Sequence, residues 1–396
     1  MNKITNNQLN KSIIFGSISI IIFFNILSGL HLSSDAYTYI FWSQRLIDLD
    51  LDLIAFHQSL NHPLIYHLYD FFLLYISMLQ KLFHENWQSI FYLLNLFFLI
   101  ITLLFFFKLA DFINNSIKLN FFIILLLFAS LDFFIWPHFL LTEVLFILFL
   151  SSFLFFYTRK ILFKDILLKR YILLCASIFV LALFSKPGSL GVLLGIVFFH
   201  ILQFLNFAQD ERRLKFSILF IIILSPVLYQ IFISSIDEID SFKVSQLLGY
   251  VQEGVIIHDR ESTYINSAES SAAKVFLLRF VYFFIPIVPE MSLIHKLADS
   301  LFAILLLFSI LIWSLYSEFY SFRHKVLCQL MLLIFIFSGL YHSATLIDFD
   351  WRYRFTSIIP MLLFISYNLS EVFYNSHDRS NNSSIQNKNQ HRECPS

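Results

Sequence analysis

The sequence predicts an all-α, polytopic membrane protein with about ten transmembrane helices, each near the roughly 20 residues that cross a bilayer's hydrocarbon core. Three observations carry that expectation. Hydrophobic residues fill 58% of the 396 positions and charged residues only 14%, against roughly a quarter charged in soluble domains. Phenylalanine alone occurs 51 times. Long apolar runs recur along the chain, and because a bilayer offers no water to satisfy backbone polar groups, such spans must be helical.

The polar, basic start from Met1 to Lys11 belongs in the cytoplasm under the positive-inside rule. Residues 12–30 form the first span, with no small-x-small cleavage site after it. Residues 31–88 read as a first external loop carrying interfacial helices. Tyr37 to Leu53 is one of these, and Leu64 to Phe83 is a second, apolar but interrupted by His67, Asp70 and Lys81. If that second segment lies flat on the membrane, the basic cluster from Arg159 to Arg170 falls inside, as the charge rule requires. Further spans then follow at 89–108, 119–136, 139–157, 171–187, 188–206, 215–235, 293–316, 326–346 and 354–374. A second large external loop occupies 236–292, where Arg279 marks the aromatic stretch 275–289 as interfacial. The membrane domain is 1–376, and the tail 377–396, rich in Asn, Ser and charge, has nothing to bury and reads as disordered and cytoplasmic.

Composition also excludes some functions. Net charge is zero and the pI is near 7.2, so nothing points to nucleic acid. Cys175, Cys328 and Cys394 have neither metal-type spacing nor the pattern of a disulfide framework. His57, His62 and His67 fall five apart, which puts them on no single helical face and matches no familiar ligand spacing, so a metal site is not expected there.

The candidate chemistry gathers at predicted external ends of spans. Asp35 lies in Ser33-Ser34-Asp35-Ala36-Tyr37, just past the first span and beside the aromatics Tyr37, Tyr39, Phe41 and Trp42. A carboxylate held at headgroup depth could meet a substrate whose reactive group lies at that level, as a general base must. Glu143 opens a span after a short external turn, as a functional carboxylate or as a helix N-terminal acid beside a Thr142 cap. Lys186, in Ser185-Lys186-Pro187-Gly188, and Arg352 and Arg354 run against the positive-inside tendency. They would grip a phosphate or anchor as snorkelling side chains.

In order and spacing, Ser34-Asp35-Ala36-Tyr37, His62-Pro63-Leu64-Ile65-Tyr66, Thr142-Glu143 and Ser185-Lys186-Pro187-Gly188 resemble the GT-C superfamily of membrane glycosyltransferases. The bacterial branch related to protein O-mannosyltransferases and aminoarabinose transferases is the nearest in pattern. The resemblance covers roughly the first 200 residues, with Arg352-Tyr353-Arg354 as a weaker late match. One Pro stands where the family usually has two, and Glu143 where it usually has Asp. The resemblance implies a sugar donor on polyprenyl phosphate, a lipid, glycan or protein acceptor, inversion at the anomeric carbon, and an external site on a bacterial inner membrane with both termini cytoplasmic. Asp35 would then be the base, and Glu143 would position the acceptor or help hold a metal. Lys186, Arg352 and Arg354 would hold the phosphate, with Tyr37 and His62 at the substrate. Some members use a divalent cation and others none, so no cofactor is fixed.

Two other functions compete. A surface-polysaccharide polymerase shares the topology and would depend on external arginines more than on Asp35. A non-enzymatic transporter or flippase should place ionisable residues within spans and break its helices there. The predicted spans are nearly free of charge, which favours the transferase.

Overall fold

The structure, a computed structural model, describes residues 6–60, 64–112, 117–162, 168–186, 188–207, 272–285, 292–344 and 351–370. Among the described residues it is 91% helical, with no strands. His62, the expected span 215–235, most of the second loop and the tail lie outside the described residues.

The first helix, α1 (Asn6–Ser28), is 23 residues long, about 35 Å at 1.5 Å per residue. It stops at Gly29, whose φ of 71° is a left-handed conformation that only glycine adopts without strain from a Cβ. Two short helices follow, α2 (Ser34–Asp48) and α3 (Leu53–Leu60). Ser33 caps α2 by accepting from the Ala36 amide at 3.3 Å, and the Asp52 carboxylate caps α3 by accepting from Ile54 and Ala55. A 3-10 turn, Leu64–Tyr69, leads into α4 (Asp70–Phe83). At 14 residues α4 is about 21 Å long, shorter than the roughly 30 Å hydrocarbon core. It is fixed to α2 where Ser77 donates to the Ser43 carbonyl at 3.1 Å and Gln80 to the Ser43 hydroxyl at 2.8 Å.

The 25-residue α5 (Trp87–Asp111) is long enough to cross the bilayer alone. Next comes a departure from the expected continuous span 119–136. The chain runs as α6 (Ile117–Ser130), then bends by 63° into α7 (Asp132–Ile135) and a 3-10 turn, Trp136–His138. The break has local causes. Leu131 sits in the left-handed region with φ 56°, Pro137 lacks an amide proton, and the Asn25 side chain takes the Phe133 carbonyl at 2.9 Å. The expected span 139–157 begins four residues later, as α8 (Glu143–Leu162).

Helices α9 (Leu168–Leu183) and α10 (Ser189–Phe207) flank the turn that holds Lys186. α11 (Ala272–Phe284), α12 (Leu293–Tyr316) and α13 (Phe322–Ala344) follow. The closest helix packing joins α10 to α13. A Cβ added at Gly195 would lie 2.6 Å from the Ile334 Cα, so the two backbones touch across small residues as membrane helices often do. A 3-10 turn, Trp351–Ser357, enters a last helix, α14 (358–370). Every residue from Arg354 to Leu369 is buried, so this largely apolar helix is the centre of the bundle and not its rim.

The outer faces are apolar. On α12, Leu293, Leu297, Leu301, Ile304, Leu311 and Leu315 are exposed at helical spacing, while Asp299, Phe302, Leu306 and Ser309 face inward. Such a stripe needs lipid or protein cover. Among the described residues, four helices are long and apolar enough to cross a membrane, or five if the bent pair counts as one span. The chain is an all-α membrane protein.

Candidate functional site

Two distant parts of the chain meet just beyond α1. The His31 amide donates to the His138 carbonyl at 2.8 Å, and the Leu140 amide donates to the His31 carbonyl at 3.2 Å. This short parallel bridge between His31 and Phe139 ties the segment that leads to Asp35 to the segment that leads to Glu143. Asp35 is half-buried in the first turn of α2, where a carboxylate is favoured by the positive helix terminus. Tyr37, two residues on, is exposed.

Glu143 opens α8 and is buried, and its Oε1 accepts from Lys186 Nζ at 2.6 Å. Thr142 donates to the other carboxylate oxygen at 3.4 Å. The α9–α10 turn brings Lys186 across 43 residues of sequence to make this pair. That turn is also fixed to the first loop, because the Phe71 amide donates to the Phe184 carbonyl at 3.0 Å. Beside it, a Cβ at Gly188 would come within 3.1 Å of His342 Nε2 and Thr356 Cγ2, so only glycine fits without displacing them. A cation is a poor fit at Glu143, since the Lys186 ammonium already neutralises that carboxylate and would repel a metal ion. No chemical step is routed through a metal there.

Lys186 and Glu143 form a pair that is costly to break and cheaper to replace as a unit. Lys186→Met alone should destabilise the detergent-solubilised protein by about 3–5 kcal/mol, because it strands a buried carboxylate. Adding Glu143→Gln should recover part of that loss in a double-mutant cycle read by thermal unfolding. Additive losses would show that the two side chains are not coupled.

Arg354 was expected at a span end, open to substrate. Its side chain is instead fully buried, with Nη2 at 3.0 Å from Asp132 and 2.7 Å from Asp299. Trp136 Nε1 donates to Asp132 at 3.2 Å, and the guanidinium lies over the Phe302 ring at 5.2 Å. The arrangement joins the broken α6–α7 segment, α12 and the turn before α14. It also corrects the expectation of nearly charge-free spans, since the ranges 119–136 and 293–316 each carry an inward acid. Both were visible as acids within apolar runs, which mark functional or structural sites by default. Arg352 lies in the same 3-10 turn.

The histidine expectation also changes. His57 and His67 do not share a helix, so their spacing in sequence does not govern whether they meet. His57 comes from α3, and His67 from the turn before α4, and they converge on Asp70. His57 Nε2 is 2.6 Å from Asp70 Oδ1, His67 Nδ1 is 3.0 Å from Asp70 Oδ2, and the two rings stand 3.7 Å apart.

Fold and site together define an all-α membrane protein with buried ion pairs, Glu143 with Lys186 and Arg354 with Asp132 and Asp299. Comparison with models of known protein families, with curated proteins and with solved structures gave no match.

Proposed function

We propose that the chain is a GT-C type glycosyltransferase of about ten spans, each near the usual 20-residue helix. It would sit in a bacterial inner membrane with both termini cytoplasmic and α4 lying along the external surface. It would transfer a sugar from polyprenyl phosphate to a lipid, glycan or protein acceptor on the external face. The observation that carries this reading is the convergence of three separate segments. The His31–Phe139 bridge joins the approaches to Asp35 and Glu143, and Lys186 reaches Glu143 from a third segment.

The chemistry asks for few groups. Asp35 accepts the proton of the acceptor hydroxyl as that oxygen attacks the anomeric carbon from the face opposite the phosphate. The carbon–oxygen bond to phosphate breaks, and the phosphate leaves with the bonding pair. Lys186 is the cation placed to compensate the departing charge, sharing Glu143 as its ground-state partner. Arg354 serves as a brace, because both of its carboxylates are engaged before any substrate arrives.

The test is direct. Purified chain in nanodiscs, given polyprenyl-phosphate sugars and extracts of cell-envelope acceptors, should form a glycosylated product detectable by mass spectrometry. Cells lacking the gene should lose the same product.

Transport is the second reading, favoured by one specific feature. The helix break at Leu131 adjoins the Asp132–Arg354–Asp299 group. With all three groups ionised, that group carries one uncompensated negative charge, and broken helices with intramembrane ionisable groups are features of transporters. Vesicles that move a solute or a lipid-linked sugar without forming any new glycosidic bond would shift the assignment to transport.

A further inference from the structure

We propose that His57, His67 and Asp70 form a binding site for a divalent ion of the zinc class, with one position left open for water or a substrate oxygen. The proposal is independent of the glycosyl-transfer reading.

Three features carry it. The first is donor chemistry. Two imidazole nitrogens and one carboxylate oxygen suit a borderline ion such as Zn²⁺ or Co²⁺, whereas Mg²⁺ and Ca²⁺ prefer oxygen alone. The second is convergence. One donor atom from each residue lies within 4.8 Å of the others. In a tetrahedral zinc site, with bonds near 2.1 Å, donor atoms stand about 3.4 Å apart. The two histidines now meet different oxygens of Asp70, Oδ1 at 2.6 Å and Oδ2 at 3.0 Å, so an ion held through one oxygen requires the carboxylate to turn and the three donors, already within 4.8 Å of one another, to settle near that spacing. The ring nitrogens that now share protons with the carboxylate would exchange those protons for the ion.

The third feature is placement. His67 and Asp70 stand three residues apart on one turn at the start of α4, so two of the ligands are held by a single local geometry. His57 is buried at 5% exposure, but the His67 side chain is 30% exposed, which gives an entry path and a side from which a fourth ligand can approach. The residue after Asp70 is Phe71, whose amide holds the Lys186 turn through the Phe184 carbonyl. An ion here would therefore fasten α3 to α4 next to the segment that presents Lys186.

The full chain, purified in detergent, stripped with chelator and passed over a desalting column, should take up one Co²⁺ per chain. It should develop the intense visible absorption of a four-coordinate cobalt site, and Zn²⁺ should bleach that absorption stoichiometrically. His67→Gln, the mildest change because this side chain is the most exposed of the three, should weaken binding by more than about 10-fold. Asp70→Asn should abolish the absorption while the protein keeps its elution position. Zn²⁺ should raise the thermal unfolding temperature of the unaltered chain and leave that of His67→Gln unchanged. Two results would overturn the site: an unaltered chain that binds neither Co²⁺ nor Zn²⁺, or substitutions that leave cobalt binding unchanged. In either case the three residues form a hydrogen-bonded clamp and nothing more. Displacement of Co²⁺ by an equal concentration of Mg²⁺ would overturn the zinc-class assignment.

Discussion

Arg354→Met should destabilise the protein by about 3–5 kcal/mol and remove most of it from the membrane fraction, because the change strands two buried carboxylates without a cation. Asp132, Asp299 and Arg354 have almost no exposed side-chain surface, so water cannot take over what the guanidinium provides. Arg354→Lys should be intermediate. It keeps the charge, and one ammonium could meet both acids as Nη2 does, but the shorter side chain lacks the guanidinium plane that lies over the Phe302 ring. The informative variant is the triple neutral one, Asp132→Asn with Asp299→Asn and Arg354→Met, which removes all three charges together. If the penalty in Arg354→Met comes from uncompensated charge, the triple variant should unfold at a higher temperature than the single one despite carrying more substitutions. Thermal unfolding in detergent, with membrane yield alongside it, measures both. An Arg354→Met protein as stable as the original would mean that the carboxylates are already neutral in the folded state.

This group also shows where the chain could be read from sequence and where it could not. Helix identity was legible, because apolar runs in a membrane have one way to satisfy their backbone. The limits of α12 match the expected 293–316, and the expected turn at Lys186 lies between α9 and α10. The break at Leu131 was not legible. It depends on a left-handed residue, on Asn25 reaching the Phe133 carbonyl, and on Asp132 reaching Arg354 across 222 residues. Periodicity carries no trace of such contacts. The meeting of His57 and His67 was illegible for a related reason. Spacing tests only whether rings share one helix, whereas these two come from α3 and from the 3-10 turn before α4 and meet on Asp70. Among the expected site residues, Glu143 and Lys186 are legible by position relative to the spans, and their contact follows from which span ends meet, while Asp35 is tied to them only through the His31–Phe139 bridge. Arg354 is legible the same way, but its partners Asp132 and Asp299 lie within apolar runs, where sequence alone does not pair them.

If the chain transfers a sugar as proposed, Asp35→Asn should lower that transfer by roughly a hundred- to ten-thousand-fold, the usual worth of a general base, while leaving the protein at normal abundance. The separation of these two effects is what makes the test sharp. Asp35 sits in the first turn of α2 behind the Ser33 cap, where a negative charge near the helix N-terminus contributes only about 0.3–1 kcal/mol. Asparagine keeps the size and the hydrogen-bonding reach of the side chain, so the fold has little to lose. A residue that served only as a first-turn acid would therefore show a slightly lower unfolding temperature and unchanged turnover. A general base would show nearly the reverse, with transfer gone and the unfolding temperature almost unmoved. Asp35→Glu should fall between, since it retains the carboxylate but moves it by one methylene from a position set by the short 31–34 connection to the His31–Phe139 bridge. Product formation from a polyprenyl-phosphate sugar, measured at saturating acceptor so that binding losses do not mimic loss of turnover, distinguishes the two roles. Full activity in Asp35→Asn would remove it as the base and leave Glu143, which Lys186 already holds as a carboxylate, as the next group to test.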